Sequence, residues 1–258
     1  MSTEAAAGLS PAATRRLILL LILLAWEAAP RLGWVPSLFL PPLSQAVAAV
    51  HADRMAYAQN LAVTLGEVAV SMVLACGSGI ALGAVIGSVR VLRKPMTSLF
   101  SSLYAIPLVI LYPLMAAWLG IGPESKIAFA SLYGVIPAIL ASAAGIQSID
   151  PHLAVTARSM GATLRQRLVH VILPAAIPSV LSAVRIGGAL AIVGVVVAEM
   201  LTSTAGLGFL ITSYRTVLDS PRVFGAILCV LAIVLIFDAV VRWLERRTAG
   251  WSAAIGRK

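Results

Sequence analysis

The chain has 258 residues, 60% of them hydrophobic and only 11% charged, with a formal charge of +9. A soluble domain carries about a quarter charged residues, and several stretches here approach the ~20 apolar residues that cross a bilayer as a helix. This excludes a soluble globular domain and points to an all-α, polytopic membrane protein, whose helices satisfy their backbone hydrogen bonds internally, as lipid requires. The basic residues are not gathered in an aromatic-rich loop domain, so nucleic acid is excluded as a partner and membrane lipid is the expected surrounding.

Six spans are expected. The first follows Arg15-Arg16 and runs from Leu17 to about Val35, interrupted by Glu27 and Arg31. Basic residues followed by an apolar core also fit a signal peptide, and Thr14-Arg15-Arg16-Leu17 is similar to a twin-arginine signal. With five spans to follow, an uncleaved anchor is the simpler reading. Residues 36–57 read as a polar, proline-containing connection with Pro36, Pro41, Pro42, His51, Asp53 and Arg54. The second span, about Gln59 to Val89, contains Gly77, Gly79, Gly83 and Gly87, small residues that let another helix approach closely.

The third span, about Leu99 to Leu119, contains Pro107 and Pro113. Each removes a backbone donor and can kink a helix. The fourth runs from Lys126 to Ile146 and contains Pro137; a basic loop, 147–178, follows. The fifth is about Val180 to Leu201, then a loop with Gly206, Gly208, Asp219 and Pro221, then the sixth, Phe224 to Leu244. The chain thus divides into a tail (1–16), one transmembrane domain (17–244) and a basic tail (245–258).

With the N-terminus inside, Arg31, Arg54, Lys126, Arg215 and Arg222 lie outside, and all the others of the 19 basic residues lie inside. Cytoplasmic loops gather Lys and Arg, so both termini and the 147–178 loop are expected in the cytoplasm.

Within that loop, Asp150 is a good cap and Pro151 suits a first helical position. A short helix to Met160 is expected. Gly161 is placed to end it in a left-handed conformation. Thr163 can cap a second helix, Leu164 to Ile172, before Leu173-Pro174 returns the chain to the membrane. The loop reads as helix, sharp turn, helix, with Arg158, Arg165 and Arg167 facing a partner or anionic lipid.

Ala157, Gly161, Val171, Leu173 and Pro174 fit the pattern Glu-Ala-Ala, three residues, Gly, nine residues, Ile, any residue, Leu, Pro. The loop so resembles the coupling loop of binding-protein-dependent ABC importer permeases. Val155 and Thr156 depart from it, standing where the motif has Glu and Ala, which removes a carboxylate that could pair with the ATPase. Ile106-Pro107 to Pro113-Leu114, Trp118-Leu119-Gly120-Ile121-Gly122, Val197-Ala198-Glu199-Met200-Leu201 and Gly206-Leu207-Gly208 are similar to segments of the nitrate/sulfonate/taurine-type permeases, over about residues 58–245.

The resemblance implies the permease subunit of an ATP-driven importer, with no catalytic residue of its own. Its partners would be a cytoplasmic ABC ATPase dimer, a second permease copy and an extracytoplasmic binding protein. The chain has no G-x-x-x-x-G-K-[ST] loop, so ATP and Mg belong on the partner ATPase, with no cofactor or metal expected in this chain. The resemblance suggests a small anion of the sulfonate, taurine or nitrate class, with neutral heterocycles as a further option.

Ionisable groups inside spans are costly and need a reason. Glu67 and Glu199 are expected near the outer ends of the second and fifth spans, where they could shape a gate or pair with Arg215 or Arg222; Asp238 lies nearer the inner end of the sixth. Interfacial hydration is the plainer expectation for Glu67 and Asp238, a gate or packing role for Glu199. Glu67 departs from the related permeases, which usually have a basic residue there. Tyr104, Tyr112 and Tyr133 could line a solute path or anchor at an interface. Cys76 and Cys229 read as small buried hydrophobes.

Two rival functions remain. An ion-coupled carrier or channel without an ATPase would use Glu67 and Glu199 as coupling sites. An intramembrane hydrolase would need Ser78 as nucleophile, but His51, His152 and His170 all fall in loops.

Overall fold

Small residues spaced four apart decide which helices touch. The computed structural model describes residues 10–255; the first nine residues of the expected N-terminal tail, and Arg257 and Lys258 of the C-terminal one, lie outside them. The described residues form α1 (Pro11–Arg31), α2 (Leu43–Ala52), α3 (Arg54–Ser88), α4 (Arg90–Tyr104), a 3-10 turn (Leu108–Leu111), α5 (Tyr112–Leu119), α6 (Pro123–Gln147), α7 (Pro151–Ser159), α8 (Leu164–Arg167), a π-helical turn (Leu168–Ile172), α9 (Leu173–Leu201), α10 (Leu207–Thr216) and α11 (Ser220–Ile255). No strand occurs among the described residues.

Four helices, Arg54–Ser88, Pro123–Gln147, Leu164–Leu201 and Ser220–Thr248, are long and apolar enough to span a membrane. A fifth candidate is the pair α4 and Leu108–Leu119, bent by 76°. The break falls at Ala105–Pro107, where proline removes a donor, as expected from the sequence. The first expected span is α1. Its helix carries Arg15, Arg16, Glu27 and Arg31 beside a run, Leu17–Leu24, that is about half exposed at every position. Several boundaries differ from expectation: α4 begins at Arg90 rather than near Leu99, and α11 runs from Ser220 to Ile255 rather than from Phe224 to Leu244. The connection 36–57 contains a helix, α2, and α3 starts at Arg54, because the prolines cluster ahead of Leu43 and leave its alanine-rich run free to coil.

The chain divides into two compact units, one comprising the residues up to 58 together with 210–228, the other 59–209 together with the residues from 229 on. In the first unit, Glu27 accepts hydrogen bonds from the Ser44 N–H (3.0 Å) and hydroxyl (2.8 Å) and pairs with Arg31 at 2.6 Å. The charges that interrupt the first span therefore tie α1 to α2. Arg222 pairs with Asp53 at 2.5 Å and with Asp219, and the Tyr57 hydroxyl donates to the Arg222 carbonyl at 2.8 Å.

In the second unit, α3, α6 and α9 pack through their small residues. A Cβ on Gly79 would lie 2.5 Å from Ala138 Cβ, on Gly83 2.5 Å from the Ile139 carbonyl oxygen, and on Gly87 2.8 Å from the Ala143 carbonyl oxygen. These glycines form the α3 face expected from the sequence, and it meets α6. Gly77, off that stripe, has nothing within 4 Å. On its other side α6 meets α9: a Cβ on Gly134 would lie 2.5 Å from the Gly187 carbonyl oxygen, and one on Gly194 2.8 Å from Ala130 Cα. Such contact maximises dispersion where lipid offers no hydrophobic gain.

Candidate functional site

The α6–α9 pair has two functional ends. At one end lies the connecting hairpin. Asp150 accepts from the His152 N–H at 2.8 Å, with Pro151 at the first helical position, and α7 runs to Ser159. Gly161 has φ +78° and its N–H donates to the Arg158 carbonyl, closing the turn. Thr163 and Gln166 then form a reciprocal capping box: the Thr163 N–H donates to Gln166 Oε1 at 2.8 Å, and the Gln166 N–H to Thr163 Oγ1 at 3.3 Å.

The second helix differs from expectation. Only Leu164–Arg167 is α-helical; Leu168–Ile172 widens into a π-turn and passes directly into α9. Leu173 and Pro174 thus begin a membrane-length helix rather than break the chain. Pro174 lacks an N–H and its ring crowds the carbonyl four residues back, and a wider turn just before it relieves both problems. Of the hairpin residues, Val155, Thr156, Arg158, Gly161, Arg165 and Leu173 are exposed, and Ala157, Arg167, Val171 and Pro174 less so. The hairpin is continuous with α9 through α8 and the π-turn.

At the opposite end, α3, α6 and α9 bury a polar socket. Glu67 from α3 pairs with Lys126 from α6, both side chains 5% exposed, and Lys126 Nζ also donates to Ser203 Oγ at 3.1 Å. Glu199, near the end of α9, is 1% exposed. Its Oε1 accepts from the Thr64 hydroxyl at 2.7 Å and its Oε2 from the Gly208 N–H at 2.8 Å. Thr64 Oγ1 accepts from the Leu207 N–H at 2.9 Å, and Asn60 Oδ1 from the Gly206 N–H at 2.7 Å. Three side chains from α3 and α9 thereby satisfy the N–H groups at the start of α10, which no helical carbonyl reaches. The partial positive charge at that N-terminus favours the Glu199 carboxylate. A cavity of about 500 Å³ opens beside the socket, lined by Glu67, Lys126, Gly122, Thr204 and neighbours.

Residues 79–250 match the family described as binding-protein-dependent transport system inner membrane component. The chain belongs to this family. It is 30% identical to the taurine transport system permease protein of Escherichia coli (strain K12), covering 92% of this chain and 89% of that one. It is 26% identical to the formylaminopyrimidine transport permease protein of Halalkalibacterium halodurans, covering 91% and 94%. The fold is similar to a chain of the MetNI methionine ABC transporter in an inward-facing conformation, with TM-score 0.60, 18% identity and coverage of 75% and 94%. The protein is an ABC importer permease subunit and a multi-pass inner-membrane protein.

Within this permease, the sequence-level candidates are redistributed. Tyr104 and Tyr133 share the lining of a cavity of about 330 Å³ with Ile106, Pro107 and Leu108. Tyr112 is fully buried. Its ring meets Phe129 edge-on at 5.3 Å, and its hydroxyl donates to the Thr202 carbonyl and accepts from the Thr202 hydroxyl at 3.0 Å. Tyr112 is thus held in packing between Phe129 and Thr202. Within its unit Glu67 pairs with Lys126, and within the other Arg222 pairs with Asp53 and Asp219. Glu67 is buried, at the edge of the cavity beside the socket, rather than exposed at the end of its span. Asp238 pairs with Arg185 at 3.4 Å and with Arg242, while Arg185 reaches Glu245 at 2.9 Å, joining α9 to α11.

The sequence reading missed Asn60, Thr64, Lys126 and Ser203 in the socket. Lys126 carried a legible signal: a lone cation at the edge of an apolar run, opposite in sign to a lone Glu in another span. Thr64 and Asn60 carried none, since polar neutral residues are ordinary in such helices. Among the described residues no group of three or more His, Cys, Asp or Glu side chains comes together to hold a metal ion.

Proposed function

We propose that the permease pairs as a homodimer, receives a small anionic solute of the sulfonate, taurine or nitrate class from an extracytoplasmic binding protein, and is driven through its 151–174 hairpin. ATP and Mg bind the partner ATPase, and this chain holds no cofactor and hydrolyses nothing. Both termini and the hairpin face the cytoplasm, as the distribution of Lys and Arg favours.

The observation that carries this reading is the continuity of the hairpin with α9. A helix–turn–helix closed by Gly161 and fused through the π-turn to a 29-residue helix can transmit rigid-body motion, whereas a flexible tether could not. Val155 stands where the related permeases have Glu, so docking rests on apolar packing and on Arg158, Arg165 and Arg167. Val171 lies in the π-turn and Leu173 and Pro174 open α9, while Thr156 and Ala157 belong to the hairpin's first helix. The name of the Escherichia coli relative supports a sulfonate; that of the Halalkalibacterium relative supports the neutral-heterocycle option.

The test is co-purification from detergent with the cognate ATPase, comparing the native chain with Gly161→Pro, followed by uptake into liposomes. Association of the native chain, its loss in the variant, and uptake that needs ATP are expected. No association, with uptake driven by an ion gradient alone, would establish the ion-coupled carrier instead.

A further inference from the structure

The socket holds more negative charge than its partners neutralise. Glu67 and Glu199 bring two carboxyl groups, each at least 95% buried, and they interact directly with one another. The charged groups that face them are each other and Lys126 from α6; from the start of α10 come backbone N–H groups. Lys126 contributes one positive charge, and a helix N-terminus adds roughly half of one. Two carboxylates therefore leave a buried negative excess, which burial disfavours.

The hydrogen bonds locate the deficit. Both oxygens of Glu199 accept from protein donors, Thr64 and Gly208. Glu67 Oε1 is held by Lys126, but Glu67 Oε2 is buried and has no hydrogen-bond partner. A buried carboxyl oxygen without a donor is a high-cost arrangement. Oxygen can end that cost by carrying a hydrogen and donating it to the neighbouring acid.

We propose that the Glu67–Glu199 pair is a proton-binding site: one proton sits on Glu67 Oε2, shared with the Glu199 carboxylate. Two adjacent acids that share one proton titrate as a unit, and here the bound proton leaves Lys126 and Glu199 as a balanced pair. Glu199 can then cap α10 as a carboxylate. The cavity lined by Glu67 and Lys126 provides the route by which the proton exchanges with solvent. Loss of the proton places two like charges beside one another, with Glu199 packed directly against Gly206.

Infrared spectroscopy of the full-length permease, assembled with its ATPase in nanodiscs, tests this without using transport. The native protein should show the carbonyl stretch of a protonated carboxylic acid at neutral pH, and Glu67→Gln should remove it. Gln is nearly isosteric and supplies an N–H at the position of the shared hydrogen, so folding should survive. In Lys126→Met the same band should persist to higher pH, since the charge that favours ionisation is gone. A native protein without this band at neutral pH, a band unchanged in Glu67→Gln, or one whose titration is unmoved in Lys126→Met would overturn the proposal. None of these outcomes depends on the solute or on the coupling hairpin.

Discussion

The carboxyl group of Glu199 occupies the space that a Cβ on Gly206 would need. Gly206 has φ +109°, and all three nearest atoms to that Cβ position belong to the Glu199 carboxyl. Two independent reasons thus require glycine there. A residue forced into such a backbone region costs about 1–3 kcal/mol, and displacing a buried, hydrogen-bonded carboxylate adds to it. Gly206→Ala should lower the thermal unfolding temperature of the detergent-solubilised protein well beyond what an exposed Gly→Ala change does. An unchanged unfolding temperature would show that the turn at Gly206 relaxes freely.

Thr64→Val keeps the shape of the side chain and removes its hydroxyl. Glu199 Oε1 and the Leu207 N–H then both lose their partner. Each orphaned buried group costs about 1–3 kcal/mol, so the variant should be markedly destabilised. Thr64→Ser should restore most of the loss, and thermal unfolding of both variants reads the difference.

Lys126 is the only cation paired with Glu67 among the described residues. Removing one member of a buried ion pair costs about 3–5 kcal/mol when the survivor stays charged. Lys126→Met should therefore reduce the folded, assembled yield more than Glu67→Gln does, because it leaves the buried Glu199 carboxylate without its cation. A double-mutant cycle on unfolding midpoints measures the coupling; strict additivity would deny the pairing.

The glycine stripe of α3 makes a contrast within one helix. Gly83→Ala drives a methyl to within 2.5 Å of the Ile139 backbone oxygen, so helices α3 and α6 must separate, and overpacking of this kind costs about 1–3 kcal/mol. Gly77→Ala meets nothing within 4 Å and gains up to about 1 kcal/mol of helix propensity. Unfolding in detergent should rank Gly77→Ala at or above the native protein and Gly83→Ala clearly below it.

At the hairpin, Gly161 has φ +78° but open space around it. Gly161→Ala should cost about 1–2 kcal/mol through the left-handed backbone alone, weakening ATPase association without abolishing it. Gly161→Asn should lie closer to the native chain, because Asn tolerates this conformation. Pull-down of the ATPase across Gly, Asn, Ala and Pro should fall in that order.

Much of this architecture was legible in the chain itself. Apolar runs gave the long helices, Pro107 marked the break between α4 and the 3-10 turn, the Gly79–Gly83–Gly87 spacing marked a contact face, and Asp150, Gly161 and Thr163 marked the hairpin. Each of these is a local property: hydropathy, backbone freedom or a side chain capping its own helix. They act over a few residues and need no knowledge of a neighbour. The same locality explains where the reading fell short. It ended the hairpin's second helix at Ile172 and read Leu173-Pro174 as the return towards the membrane, whereas the π-turn before Pro174 admits its ring and carries the helix on into α9. It offered Tyr112 as path-lining because an aromatic in a span has no visible direction.

The socket was decided by tertiary structure alone. Glu67, Lys126 and Glu199 lie on three different helices, and Thr64 gains its role only because α10 starts beside it. What a buried charge meets depends on which faces α3, α6 and α9 turn together, and the close glycine contacts set that rotation. The sequence determined that two acids lie within membrane-length helices and need a reason to be there; the packing determined that the reason is one lysine, one helix start and each other. That choice belongs to the packing because a charge in a low-dielectric interior is governed by neighbours a few ångströms away in space, however far apart in the chain.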